Sequence, residues 1–250
     1  MHPGLWRASQ LARSSDHCID TGYRTLSQQL PGGGWPSGNL IDLLVQQAGI
    51  GELRLLAPAL KTVGGGGGSG RIERRIVLLQ PPHPPQALAL GGMGLAPSQL
   101  LWIKSKNSAD ALWAAEQVLK SGSCGALLFW AAHIRSDSLR RLHLAAQSGA
   151  TLFFMLRPLA SAQDSSPAPL RLALRPAAGG IEIGFVKRRG PQRDAPLFLP
   201  LAPIGVSARQ RTRSYPLPEQ TTVATGSAVP AEPARTAALK RGRIGQLLDQ

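Results

Sequence analysis

The amino-acid sequence predicts an α/β fold: a mostly parallel sheet flanked by helices and completed by an antiparallel hairpin at its C-terminal edge. Three observations predict it. The runs NLIDLLV (39–45), RIVLL (75–79), QLLWI (99–103), GALLFW (125–130) and TLFFML (151–156) are nearly all apolar, as strands buried on both faces must be. Between several of them lie segments with apolar residues three and four apart, the period of an amphipathic helix. Strands that alternate with helices are joined by crossovers and run parallel. Finally, 170–174 and 181–187 alternate in polarity around 176–180, which is the pattern of a hairpin.

In chain order, residues 1–20 carry no strong pattern and read as an N-terminal arm. The core spans 21–190. Residues 21–30 form a short helix with Thr21 as N-cap and Leu26 and Leu30 facing inward. Pro31-Gly32-Gly33-Gly34 ends it, because neither residue type continues a helix cheaply. Trp35-Pro36-Ser37-Gly38 is a turn into the strand 39–45. Residues 52–61 show helical spacing of Leu53, Leu56 and Leu60. Residues 62–70 contain five consecutive glycines and read as a flexible linker. Gly65 and Gly70 there match G-x-x-x-x-G, but Arg71-Ile72 follow and no strand feeds the loop. The run Pro81-Pro82-His83-Pro84-Pro85 is extended, and 86–90 is a turn or two of helix. Residues 107–121 form the clearest helix. Asn107 or Ser108 caps it, Leu112, Ala115 and Leu119 line its inner face, and Gly122 stops it. Residues 136–147 form a helix capped by Ser136, with Leu139, Leu142 and Ala146 inward and Arg140 and Arg141 outward.

From Pro191 the periodicity disappears, and eight of the 21 prolines lie in 191–250. This stretch reads as a Pro- and Arg-rich, largely disordered tail. Its end, 236–250, is a candidate short helix with Leu239, Ile244, Leu247 and Leu248 as apolar residues, weakened by Gly242 and Gly245.

The 250 residues carry a net charge of +14, which favours polyanions or an acidic protein surface as partners. A GC-rich genome yields the same Arg-, Ala- and Pro-rich composition, so charge alone leaves direct DNA contact open. Cys18 and Cys124 fall in no metal spacing and suit a reducing compartment. No apolar run approaches the roughly 20 residues of a membrane span, and the N-terminus lacks the apolar core of a signal peptide. The expected location is the bacterial cytoplasm, without membrane contact.

The stretch 45–54 has the layout of a phosphate-binding loop between a strand and a helix. Such a loop needs G-x-x-x-x-G-K-[ST], with lysine on the phosphates and a hydroxyl on magnesium. Here Gly49 and Gly51 are followed by Glu52 in place of lysine and Leu53 in place of the hydroxyl. The loop is degenerate, and no cofactor is expected. Glu52 reads as a surface charge at a helix N-terminus, where a carboxylate is favourable. The histidines, His2, His17, His83, His133 and His143, show no zinc spacing; His143 reads as structural. Cys124 reads as a small core residue. No metal site and no catalytic residue is expected.

The element order, with TGYRTLSQQLPGGGWPSGNLIDLL, SLRRLHLAAQSGATLFFMLRP and LRLALRP…IEIGFVKRRG, resembles the RecA superfamily over about residues 20–190. Within it, LPGGGWPSGNLIDLL, GIGELRLLAPAL, QPPHPP, DALWAAEQVLKSGSCGALLFW, LRRLHLAAQSGATLFFMLRP and VKRRG, in that order, resemble the ImuA family of accessory proteins for translesion DNA synthesis. The related SulA-type cell-division inhibitors share the short core but lack a basic Pro-rich tail of this length.

The resemblance places Trp130 where the Walker B aspartate belongs. It places Gln80-Pro81-Pro82 where the catalytic glutamate would fall, and Leu156-Arg157 at the polar sensor. It therefore implies a pseudo-ATPase, not an enzyme. Lys187 and Arg189 match the RecA hairpin end, whose basic residues reach a neighbouring subunit's nucleotide. With no phosphate held, Lys187, Arg188 and Arg189 become candidates for a partner or nucleic acid; a solvated basic turn is the alternative. The loops 133–136 and 159–169 are short compared with the DNA-contacting loops of RecA, which argues against independent filament formation. Arg209, Arg211 and Arg213 with Tyr215, and Lys240, Arg241 and Arg243, are the phosphate-contact candidates of the tail, since cations near an aromatic suit single strands. A plain solubilising tail is the alternative. The implied function is a non-catalytic accessory of SOS-induced, error-prone translesion synthesis. The implied partners are ImuB, a polymerase-like protein, and an error-prone C-family DNA polymerase, with RecA, and DNA through the tail, as further candidates. Leu247 and Leu248 would dock as part of a short helix in a partner's groove. The alternative function is SulA-like inhibition of cell division through FtsZ.

Overall fold

A strand with no polar face is satisfied only in the middle of a sheet covered on both sides, and Leu40–Val45 (β3) takes that place with all six residues buried. The computed structural model describes residues 17–65, 74–190 and 193–202. The other strands of the sheet are Arg75–Leu79 (β4), Leu100–Ile103 (β5), Cys124–Trp130 (β6), Leu152–Pro158 (β7), Leu170–Ala177 (β8), Gly180–Lys187 (β9) and Leu197–Pro200 (β10). They lie in the order β10-β9-β8-β3-β7-β6-β4-β5. The pairs from β5 to β8 are parallel, whereas β8–β9 and β9–β10 are antiparallel. The fold is α/β with a mostly parallel eight-stranded sheet. A separate ribbon pairs Cys18–Ile19 (β1) with Trp35–Pro36 (β2).

The helices are Arg24–Ser27 (α1), Glu52–Val63 (α2), Ala87–Gly92 (α3), Ser108–Ser121 (α4) and Ser136–Ala146 (α5). Successive side chains of a strand face opposite sides, so each central strand feeds two apolar layers. In one layer Ile41, Leu43, Leu78 and Phe154 pack with Leu55, Leu56 and Leu60 of α2. In the other, Leu40, Leu79, Phe153 and Met155 pack with Ala115 and Leu119 of α4 and Leu139 and Leu142 of α5. The cap expected for α4 is present: Asn107 Oδ1 accepts the Asp110 N–H at 2.8 Å, and Gly122 takes the left-handed conformation at the C-terminus.

Several expectations need correction. Thr21 is not an N-cap. The helix begins at Arg24 after Tyr23, and the Thr21 hydroxyl accepts the Tyr23 N–H at 3.0 Å in the preceding turn. Ser136 lies inside α5, whose N-cap is Arg135 without a side-chain cap bond. Trp35-Pro36 is a short strand, not only a turn, and Trp35 is fully buried edge-on to Phe154, with ring centroids 5.3 Å apart. The antiparallel pair is not the sheet's edge, because β10 adds a further strand from the stretch expected to lie beyond the core. Its four residues are too few to show a period. Leu199 is nevertheless buried, and Pro200, which lacks a donor, is tolerated because the strand lies at the edge. Of the glycine-rich stretch, Thr62 and Val63 belong to α2; residues 66–73 lie outside the described residues. No described helix is long and apolar enough to cross a membrane.

The N-terminal turn is locked to α2 through a proline. Pro58 lies inside the helix and has no N–H for the carbonyl of Arg54, four residues back. The Tyr23 hydroxyl supplies the missing donor at 3.0 Å. Burial raises the Tyr23 phenol above its usual range, partly offset by the Arg54 charge. Gly22 has φ +79°, and a Cβ there would stand 2.2 Å from Pro58 Cβ. Tyr23→Phe is expected to cost about 1 kcal/mol in urea denaturation. An unchanged midpoint would mean that water serves the Arg54 carbonyl equally well.

Candidate functional site

The candidate site is the loop between β3 and α2, at the C-terminal end of the central strand, where ligands of open α/β sheets bind. Gly49 and Gly51 have φ of +85° and +115°. These left-handed conformations, which side chains disfavour, turn the loop's N–H groups inward. In a phosphate loop such amides converge on an anion at the helix N-terminus. Here they converge on the chain itself. Glu52 Oε1 accepts the Gly49 N–H at 2.9 Å, and Oε2 accepts the Gly51 N–H at 3.1 Å.

Glu52 is therefore not a surface charge: it is 4% exposed. The macrodipole argument favours a carboxylate at this position whether it points outward or folds back, so it could not tell the two apart. The chain after β10 also closes over the loop. Leu201 is buried, a Cβ at Gly51 would approach Leu201 Cδ1 to 2.8 Å, and the Arg54 guanidinium donates to the Ala202 carbonyl at 3.3 Å.

The neighbouring strand ends carry other fittings. Gln80, after β4, has φ 55°, and its amide donates to the Ser105 carbonyl and hydroxyl at 2.9 and 2.8 Å. Trp130 ends β6, and its buried indole Nε1 has no acceptor among the described residues. Arg157, near the end of β7, belongs to a buried ionic network that includes Asp42. Asp42 Oδ2 accepts Arg171 Nε at 3.0 Å and Arg157 Nη1 at 3.4 Å. Arg157 Nη2 also reaches Asp164 Oδ2 at 2.6 Å. Arg171 donates to the carbonyls of Ser161, Ala162 and Asp164 at 2.8, 3.3 and 3.0 Å. The segment after β7 is thus pinned to the sheet. Sequence reading passed over Asp42 inside NLIDLLV; the available signal was that a carboxylate in a doubly covered strand requires a buried cation.

The hairpin cations are unequal. Lys187 is exposed and donates to the Ser166 carbonyl at 3.1 Å. Arg188 is half-buried, donates to the Gln29 carbonyl and lies 5.3 Å from the Phe185 ring centroid. It fastens β9 to the segment after α1. Arg189 is exposed. Arg209, Arg211, Arg213, Tyr215, Lys240, Arg241, Arg243, Leu247 and Leu248 lie outside the described residues.

His143 sits near the end of α5, and burial, with the Lys187 charge second, holds its imidazole below the usual range. The Cys124 thiol is buried, which pushes its pKa up. Among the described residues, no group of three or more His, Cys, Asp or Glu could hold a metal ion.

No family model matches the chain. Over 104 residues, 42% of this chain, it is 25% identical to the cell division inhibitor SulA of Edwardsiella piscicida. The match spans 58% of that protein's length. The likeness is distant and partial, and it points to a SulA-like relationship.

Proposed function

We propose that this chain is a non-catalytic, RecA-like protein of the bacterial DNA-damage response that acts through protein contacts. One observation carries the non-catalytic part: the Glu52 carboxylate occupies the amide cradle of the β3–α2 loop. An incoming phosphate would have to displace a tethered anion and would meet like charge, with Leu53 where a magnesium-holding hydroxyl is needed. Trp130, Gln80 and Leu156 stand where acidic or polar catalytic groups would be required. The RecA-like part is supported by β3 lying between β7 and β8 in a parallel sheet that ends in antiparallel strands.

Two roles share this chemistry. The first is an accessory of SOS-induced, error-prone translesion synthesis that contacts an ImuB-like polymerase homologue and an error-prone C-family polymerase. The ordered motifs from LPGGGWPSGNLIDLL to VKRRG support it. The second is SulA-like inhibition of cell division through FtsZ, supported by the partial identity to SulA.

Three readouts separate the outcomes. On the first role, deleting the gene lowers damage-induced mutation, tagged protein captures the two polymerase-like partners, and overproduction leaves cell length normal. Filamentous cells on overproduction, suppressed by changes in FtsZ, would instead establish the second role. ATP turnover by the purified chain, lost on Gly51→Val, would overturn both.

A further inference from the structure

We propose that the open edge of β5 is a homodimer interface, at which the strand pairs antiparallel with β5 of a second copy of this chain. Such a dimer is compatible with either role proposed above. β5 ends the sheet and, among the described residues, pairs only with β4. An exposed sheet edge is a template for a further strand, so proteins guard edges with proline, charge or a bulge. The opposite edge, β10, carries Pro200. Leu100–Ile103 has neither proline nor charge, and its register with β4 is unbroken.

The backbone of β5 determines what can bind there. Ile103 turns its carbonyl towards β4, where it accepts the Gln80 N–H at 3.0 Å. Backbone groups alternate sides along a strand, so Trp102 directs both its N–H and its C=O to the open edge. The side chains set a second condition. Leu100 packs in the layer under α2 and Ile103 in the layer under α4. By alternation Trp102 shares the face of Leu100, and Leu101 that of Ile103. Trp102 is 47% and Leu101 39% exposed, so the open edge is apolar on both faces. The occupant is therefore an extended segment that is apolar on both of its own faces.

β5 itself meets that requirement. A two-fold axis normal to the sheet at Trp102 sets this residue opposite Trp102 of the second copy, and the pair exchanges both N–H···O=C bonds. The same axis sets Leu101 opposite the second copy's Ile103, so the two exposed apolar side chains each meet an apolar neighbour. Each copy carries a net charge of +14, but no lysine meets a lysine across the seam. Lys104 falls opposite the second copy's Leu100, and the two Lys104 residues lie at opposite ends of the paired strands. A two-fold contact also closes on itself. The joined sheet has β10 at both ends, where Pro200, without a donor, limits further pairing.

The test is light scattering of the full chain over a range of concentrations, alongside Trp102→Lys and Trp102→Pro. The first puts a charge on the edge. The second removes the outward donor, and proline is tolerated on an edge strand whose N–H faces away from its neighbour. Unchanged circular dichroism spectra verify the fold; should proline disturb β5, the lysine variant alone decides. The expected result is a mass of two chains that falls to one on dilution, with a dissociation constant at least tenfold higher in each variant. Trp102→Cys then tests the register. Hydrogen-bonded antiparallel residues have Cα atoms about 5.5 Å apart, a span that a disulfide bridges, so mild oxidation should link this variant and not Lys104→Cys. A single chain at every concentration, a dimer that both variants keep, or a link through Lys104→Cys instead overturns the proposal. So does a monomer that captures another protein through Trp102, which would assign the edge to a foreign strand.

Discussion

Replacing Asp42 with alanine is expected to lower the free energy of unfolding by about 3–5 kcal/mol, because it leaves buried cations without their counter-charge. Asp42 is fully buried on the central strand and is shared by Arg157 and Arg171, themselves nearly inaccessible. Asp164, half-exposed, stays bonded to Arg157 and compensates only in part. The effect should reach beyond stability. Arg171 holds the carbonyls of Ser161, Ala162 and Asp164, so amides of 159–164 should exchange faster in the variant.

Substituting the group as a whole should behave differently. A triple change of Asp42→Leu, Arg157→Met and Arg171→Met should recover part of the loss: among the described residues Asp42 Oδ1 and Arg157 Nε have no partners, and apolar replacements of buried ionic groups are often neutral or better, but Arg171→Met also removes the donor to the Ser161, Ala162 and Asp164 carbonyls. Urea denaturation of the single and triple variants measures both. A single-variant loss under about 1 kcal/mol would mean that water or Asp164 satisfies the two arginines without Asp42.

Glu52→Ala is expected to cost about 2–4 kcal/mol, since two loop donors lose their acceptor at roughly 1–3 kcal/mol each, less whatever water restores. The variant should also gain a property. Its emptied cradle joins the Gly49 and Gly51 amides to the N-terminus of α2, which is an anion site by construction. Sulfate should then raise the melting temperature of the variant more than that of the unchanged protein, by mass action on a new site. Sulfate stabilises most proteins by exclusion, so the difference between the two responses is what matters. Equal responses would mean that the loop collapses when Glu52 is removed and that the cradle depends on its own carboxylate.

The parts of this fold that were legible in the sequence are those where one residue pattern admits one environment. Apart from Asp42, Arg75 and Arg157, the residues of β3, β4, β6 and β7 are apolar on both faces, so each strand had to lie inside a covered sheet. The helix α4 has an amphipathic period, Asn107 to cap it and Gly122 to end it, and all three signals agree. The loop's inability to supply a lysine or a hydroxyl was equally local, because Glu52 and Leu53 occupy those positions.

The burial of Glu52, the partners of Asp42 and the strand β10 depend on residues far apart in the chain. Glu52 folds onto its own loop beneath Leu201, about 150 residues later. Asp42 meets Arg157 and Arg171 only because β3 lies between β7 and β8. The four residues of β10 become a strand only because β9 offers an unpaired edge. Local periodicity reports what a residue's neighbours in sequence require. Which charge a buried carboxylate faces, and which amides it caps, is set by the order of the strands in the sheet; here the loop after β3 holds its own anion, Glu52.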